Sequence, residues 1–410
     1  MENLSTDVCI AGAGPAGMIL GVLLAAQGIR VTVLESHPDF AREYRGEVLM
    51  PRFSQMMKQV GLFDFLEKYP HLKLKNFEFF LKDKLLVSLD LSSLSTQAPF
   101  AVWMSQTVLL NALLDKAKLY PGFEILFGVS ARGVIRENEK IVGLTAEHKG
   151  EHFEIRCPIT IGADGRSSVV RKTGGFEFER ENYDFDVIWF TIDQPVNYEN
   201  TVRAFFSSSY RCLILPKYPR HIQCGLIVGK GEFSKIREKG VDVMRQKLIE
   251  CHPVLREFAD GLKDFSVFSV LQARASFVRR WAQNGCLLIG DAAHTCSPAG
   301  AIGVSVAVAT AIVAADVLKR AFQKRDFTQP MLDEVQRLRE KDVRKIQRLQ
   351  SGFTTVVFLR YPWLQGLSVL SLRMAAQAGL LRHILRKITV MEEPLPIDPK
   401  LRLSPPCLSS

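Results

Sequence analysis

Short apolar runs alternate with longer helical patterns from the start of the chain. Val8-Cys9-Ile10-Ala11 is apolar throughout and ends in Gly12, which predicts a buried strand over Asp7–Ala11. Pro15–Gln27 is apolar all round and stops at Gly28, the pattern of a buried helix with a glycine stop. Val31-Thr32-Val33 predicts a second strand over Arg30–Leu34, so the chain opens with a βαβ unit.

Phe53–Leu66 and Ser105–Lys118 read as helices, the second through the spacing of Val108, Leu109, Leu113 and Leu114. Lys75–Leu91 alternates, with Phe77, Phe79 and Leu81 on one face, and predicts a hairpin. Phe123–Ile141 and His152–Ile161 predict strands around turns. Val187–Ile192, Arg203–Phe206, Cys212–Leu215 and Ile222–Val228 predict an antiparallel sheet forming a separate substrate domain, and Val241–Leu262 returns to helix. Cys286–Ile289 is a further buried strand. Ala301–Leu318 is apolar enough to resemble a membrane span, but it contains Gly303, Ser305, Thr310 and Asp316 and lacks a charged N-terminal flank. It reads as a buried helix. After Pro330 the chain is helical and basic.

This order gives an α/β (α+β) fold class: a Rossmann-like domain, an inserted mixed or antiparallel β-sheet substrate domain, and a C-terminal helical region. The boundaries are 1–73 with 98–180 and 275–330 for the first, 74–97 with 181–274 for the second, and 331–410 for the third.

Composition narrows the function classes. The 410 residues are 47% hydrophobic and 23% charged, an ordinary globular balance that can enclose a large ligand. The net charge of +10 is dispersed, with no Lys/Arg block to serve as a nucleic-acid arm. The eight Cys form no CxxC pair and no metal-ligand spacing, so they read as buried thiols in a reducing compartment and no metal is expected. No apolar signal segment opens the sequence, and cytoplasmic residence is the default expectation.

Three motifs carry chemistry. Gly12-Ala13-Gly14-Pro15-Ala16-Gly17 follows the first strand and opens the first helix. Gly12 permits the turn, Gly14 lets a pyrophosphate approach the backbone, and Gly17 lets helix and sheet pack closely. Glu35 ends the next strand, where a carboxylate accepts ribose hydroxyls. This motif alone fits FAD and NAD equally. Gly290-Asp291-Ala292-Ala293-His294 follows Cys286–Ile289, and Ser297–Gly303 then leads into the apolar helix, whose N-terminus suits an anion. Gly162-Ala163-Asp164-Gly165-Arg166-Ser167-Ser168 follows the strand at Ile159–Ile161.

In order and spacing, these motifs resemble the single-component FAD-dependent aromatic hydroxylases, the p-hydroxybenzoate hydroxylase-like group, over roughly residues 5–330. The resemblance implies FAD as cofactor, NADPH or NADH as transient electron donor, O2, and hydroxylation of an apolar small molecule through a flavin C4a-hydroperoxide. It places Gly12, Gly14, Pro15, Ala16 and Gly17 on the pyrophosphate and Glu35 on the ribose. It places Arg45, Gln106, Asp164 and Gly290 near FAD, Asp291 on the ribityl chain, and Pro298, Gly303 and Val304 along the isoalloxazine. The flavin carries the chemistry, so no catalytic side chain is expected and His294 reads as structural.

The chain also departs from that group. Ala301-Ile302 stands where relatives carry a Gly-Gly or Gly-Gln pair, Ser305 where they carry Asn, and Thr310 where they carry Asp. Trp189, Phe205, Phe206 and Tyr210 are the candidate substrate contacts. A flavin halogenase lacks support because its paired-Trp motif is missing. A flavin-dependent reductase of lipid or isoprenoid substrates and a GDI-like prenyl-binding protein share the fold. The apolar C-terminal helices leave peripheral membrane contact open.

Overall fold

Val8–Ala11 has no polar side chain to offer solvent, and the fold buries it on both faces and both edges. In the computed structural model, which describes residues 3–41, 47–81, 84–195, 198–207, 211–357 and 379–403, this strand lies between Val31–Glu35 and Ile159–Gly162. All three run parallel. Phe123–Phe127 extends the sheet beyond Val31–Glu35, Cys286–Leu288 extends it beyond Ile159–Gly162, and Ala282–Gln283 closes the edge. Because Val8–Ala11, Ile159–Gly162 and Cys286–Leu288 are parallel neighbours, their C-terminal ends share one edge. Gly12, Asp164 and Asp291, far apart in sequence, leave the sheet side by side there.

Parallel strands need crossovers, and the helices that supply them are apolar. Pro15–Ala25 packs between Gln106–Ala117 and Gly303–Lys324, which in turn packs on Gln329–Val357. The membrane-like run at Ala301–Leu318 is thus a helix of the protein core. Among the described residues no helix is long and apolar enough to cross a membrane.

Two helices differ from expectation. Phe53–Leu66 is split into Pro51–Val60 and Phe63–Leu66. Gly61 takes φ +76° between them, and a Cβ there would lie 2.5 Å from the Leu403 carbonyl. Val241–Leu262 is split at Pro253, which lacks the N–H needed to continue a helix, into Val241–Cys251 and Arg256–Gly261.

The second sheet has eight strands, in the order His294–Thr295, Ser269–Val278, Phe178–Asp193, His221–Gly229, Arg211–Lys217, Thr201–Phe206, Asn76–Leu81 and Lys84–Asp90. It is not purely antiparallel: Thr201–Phe206 and Asn76–Leu81 run parallel. Ser269–Val278 was not anticipated, and it pairs along most of Phe178–Trp189. The sheet is covered on both sides. Ile188, Phe190, Cys212, Ile214, Cys224 and Leu226 pack under the helices of 232–261. The alternate residues Val187, Trp189, Leu213, Gln223 and Ile227 face a cavity.

Candidate functional site

The glycine loop is built by contact. Gly12 has φ +100°, and a Cβ on it would lie 2.5 Å from the Ala163 carbonyl oxygen. A Cβ on Gly17 would lie 2.1 Å from the Gly12 carbonyl oxygen. The protein's own backbone therefore dictates both glycines. Gly14 is different: its φ of −67° suits any residue, and a Cβ on it would meet nothing within 4 Å. Its missing side chain leaves open space at the N-terminus of Pro15–Ala25, where no side chain caps the free N–H groups. This is a cradle for an anion.

Glu35 is fixed beside the loop. It accepts from the Ala13 N–H at 3.3 Å and from the His37 N–H at 3.0 Å, and its Oε1 lies 2.7 Å from His37 Nδ1. Asp164 uses one oxygen to cap the helix Val169–Thr173, accepting from Val169 N at 2.6 Å and Val170 N at 3.1 Å. Its other oxygen is buried with no partner among the described residues. Such an orphan acceptor calls for a donor from outside the chain.

Gly290 has φ +57°, and a Cβ there would lie 3.1 Å from the Ala16 Cβ and 3.4 Å from the Ala307 Cβ. The turn thus sits at the junction of two helix N-termini. Asp291 follows and pairs with Arg166 at 3.3 Å. Enclosure by protein pushes the Asp291 carboxyl above the usual carboxylate range, opposed by the Arg166 guanidinium. A third of its side chain still faces open space, and that space is the cavity. Arg171 joins the two aspartate turns, donating to Ala292 O at 2.9 Å and Arg166 O at 2.6 Å.

Beyond this lies the loop Ser297–Ile302. Gly300 has φ +81° and Ala301 has φ +50°, a left-handed conformation in which a Cβ costs roughly 1–2 kcal/mol. Gln350, from the long helix Gln329–Val357, holds the loop by donating to Ser297 O at 2.9 Å and Ala299 O at 2.5 Å. Gln347 donates to Ser276 O and Thr295 O. Among the described residues no side chain caps the helix that starts at Gly303.

His294 is buried and contacts Thr310 Oγ1 at 2.9 Å through Nε2. The Thr310 hydroxyl donates to Val306 O, so it accepts from His294 Nε2–H, and Nδ1 is left unprotonated and without a partner among the described residues. Burial lowers the His294 pKa to about 3, helped by the nearby Arg339 charge. A neutral imidazole wedged against Trp281, with ring centroids 4.8 Å apart, is a structural group.

One cavity of about 420 Å³ connects these parts. Of the residues expected on the cofactor, Gly14, Pro15, Ala16, Gln106, Gly290, Asp291, Pro298, Gly303 and Val304 line it. Gly12, Gly17, Glu35 and Asp164 stand behind the wall as its supports. Arg45 lies outside the described residues. Trp189 and Phe206 line the far half of the cavity. Phe205 does not: it points to the opposite sheet face, stacked on Phe80 at 4.8 Å and beside His252. Consecutive strand residues cannot share a face. Tyr210 lies outside the described residues.

Several residues of the cavity wall were not singled out as site residues by the sequence, Phe77 and Phe79 among them, although both were read on one face of a hairpin. Phe77, Phe79 and Leu89 of the hairpin, and Ile384, Leu385 and Ile388 of the helix Leu380–Thr389, complete the apolar wall. Arg166 was visible only as part of a motif. It borders both the cavity and an outer groove of about 310 Å³ that also contains Arg180, Arg274 and Ser167. Among the described lining residues Arg166 is the one cation, and Asp291 already neutralises it. The described Cys residues are free and buried, and no metal-holding cluster occurs among the described residues.

The sequence profile described as "FAD binding domain" matches residues 5–341. The chain is 30% identical over 351 residues to 6-methylpretetramide 4-monooxygenase of Streptomyces rimosus, covering 85% of this chain and 84% of that one. Among solved structures, p-nitrophenol 4-monooxygenase from Pseudomonas putida superposes with a TM-score of 0.77 at 16% identity, covering 95% of this chain and 100% of that one. The anhydrotetracycline hydroxylase from Streptomyces rimosus gives 0.76 at 22% identity, covering 96% and 77%.

Proposed function

From the premise that the chain belongs to the FAD binding domain family, among the FAD-dependent aromatic monooxygenases, we propose that it oxygenates a neutral, extended aromatic molecule of polyketide type. The enzyme takes FAD as cofactor, NAD(P)H as electron donor, and O2 with a small-molecule substrate. FAD supplies, when bound, the two-electron chemistry that passes one oxygen atom of O2 to the substrate and the other to water. The observation that carries the substrate proposal is the single cavity running from the Gly14 cradle to the apolar sheet face.

The chain's own residues have separable tasks in this reading. The Pro15–Ala25 N-terminus and Gly14 hold the pyrophosphate, and Glu35 holds the adenosine ribose. Asp291 accepts from the ribityl hydroxyls, with Arg166 keeping its charge in place. The free N–H groups at the start of Gly303–Lys324 would hold the pyrimidine part of the ring system, where negative charge would gather on reduction. Those are backbone contacts, so the changes at Ala301, Ile302 and Ser305 leave them available. The far wall, built from Phe77, Val187, Trp189, Leu213 and Ile384, excludes water from the reacting centre.

Charge decides the substrate class. No unpaired cation lines the described wall: Arg166 is paired with Asp291, and the wall's Glu78 is itself paired with Arg203 at 2.9 Å. Burying a substrate carboxylate there would cost several kcal/mol, whereas a neutral phenol or ketone enters freely. The donor's phosphates fit the outer groove, where Arg180 and Arg274 are accessible beside Arg166. Cytoplasmic residence follows from this use of NAD(P)H. The primary test is product analysis: the FAD-loaded enzyme, given NADPH, O2 and a panel of neutral polycyclic phenols, yields an oxygenated product. Stoichiometric H2O2 with every member, and no product, would overturn the proposal.

A further inference from the structure

The cavity wall formed by the large sheet contains two buried polar groups with no partner among the described residues. Trp189 is 8% exposed and its indole Nε1–H has no acceptor among the described residues. Gln223 is 5% exposed and its side-chain oxygen has no donor among the described residues. Each orphan costs roughly 1–3 kcal/mol while it stays unpaired.

The two side chains are neighbours. Trp189 pairs with Gly225 across the antiparallel ladder, and Gln223 pairs with Thr191, two residues further along on the same face. Gly225 makes the arrangement possible: a Cβ there would lie 2.8 Å from the Trp189 ring, so the six-membered ring of the indole lies across the glycine. The residues around them, Val187, Leu213, Leu215 and Ile227, offer no hydrogen bond. A wall of pure hydrocarbon would enclose a featureless ligand without this penalty.

We propose that Trp189 and Gln223 are a donor–acceptor pair that reads a hydroxy-ketone edge of the aromatic substrate, a reading that rests on the aromatic-substrate assignment above. Indole N–H is a donor only, so it takes a carbonyl oxygen. The Gln223 amide oxygen takes the adjacent hydroxyl. The ligand class is therefore a peri-hydroxy aromatic ketone or an enolised 1,3-dicarbonyl fused to aromatic rings. An isoprenoid chain has no such edge. The pair also fixes rotation: with one edge held at the sheet, a single opposite edge of the ring system faces the Ser297–Val304 loop. Trp189 and Gln223 thereby determine which carbon reacts.

The test uses the FAD-loaded enzyme and follows flavin absorbance on titration with 1,8-dihydroxyanthraquinone and with unsubstituted anthraquinone. The wild type binds the dihydroxy compound about tenfold more tightly, the size of one satisfied buried pair. Gln223→Met and Trp189→Phe, both close in shape to the native side chain, each bring the ratio of dissociation constants toward one. Equal binding of both compounds by the wild type, or an undiminished ratio in both variants, overturns the pair and leaves the aromatic assignment standing. Binding of neither compound by the wild type overturns the aromatic assignment, and the pair with it.

Discussion

The two ends of the cavity are made in opposite ways. At the Gly14 end, backbone contacts dictate each feature: Gly12 against Ala163, Gly17 against Gly12, Glu35 against Ala13. At the ring and substrate end, strands and helices hundreds of residues apart meet, and a non-glycine, Ala301, is held at φ +50° by Gln350 bonds to its neighbours. The first end is a fixed socket in which little substitution is possible. The second is an assembled surface whose shape and polarity are set by side chains.

Substitutions in the loop break this contrast most sharply. Gly17→Ala places a Cβ 2.1 Å from a carbonyl oxygen, and we expect a loss of more than about 5 kcal/mol, read as a collapse in folded yield. A folded Gly17→Ala protein of near-native melting temperature would refute the socket.

The next largest effect lies at the ring end. His294 titrates near 3 when folded and near 6.5 when unfolded, so the unfolded chain binds the extra proton between those values. Stability is complete above about pH 6.5 and falls as pH drops, by on the order of 5 kcal/mol at pH 3. His294→Asn should flatten this slope in denaturant melts, and an unchanged slope would place the acid sensitivity elsewhere.

Gly14→Ala isolates the cofactor from the fold. With nothing within 4 Å, apo stability should move by less than about 0.5 kcal/mol, while FAD affinity falls roughly 10–100-fold. Unaltered FAD binding would show that the pyrophosphate lies elsewhere. At the outer groove, Arg180→Gln with Arg274→Gln should raise the KM for NAD(P)H about tenfold and weaken its salt dependence. An unchanged KM would move the donor out of the groove. The smallest effect is that of Ala301→Gly, which relieves the left-handed strain and gains at most about 1 kcal/mol. A loss of stability instead would mean that the alanine methyl is held by packing.

This contrast also explains what could be read from sequence. The glycine loop was legible because Gly12, Gly14, Gly17 and Glu35 all fall within one βαβ unit and their spacing shows it, although the contact that dictates Gly12 comes from Ala163. Asp291 was singled out by its position after an apolar strand, whereas Asp164 entered through the family resemblance. The substrate wall was not legible. Phe205 and Phe206 look equivalent along the chain, and only the pairing of Thr201–Phe206 with its neighbours decides which one faces inward. Ser269–Val278 alternates polar Gln272, Arg274 and Ser276 with an apolar face of Leu271, Ala273, Ala275 and Phe277, but the two alanines on that face carry little strand preference. Gln347, Gln350 and Ile384 have no local signature, since their roles exist only once the C-terminal helices are docked. The breaks at Gly61 and Pro253 were visible as residues but were outweighed by helical spacing on either side.

The two-sided sheet has a consequence for how such an enzyme changes over generations. Residues of one parity along Phe178–Asp193 and His221–Gly229 pack under the helices behind them, while residues of the other parity face the cavity. Mutation can rewrite the second set while the first keeps the scaffold standing. Drift in what the enzyme accepts is thereby uncoupled from drift in whether it folds, and a descendant can acquire a new substrate one alternate residue at a time.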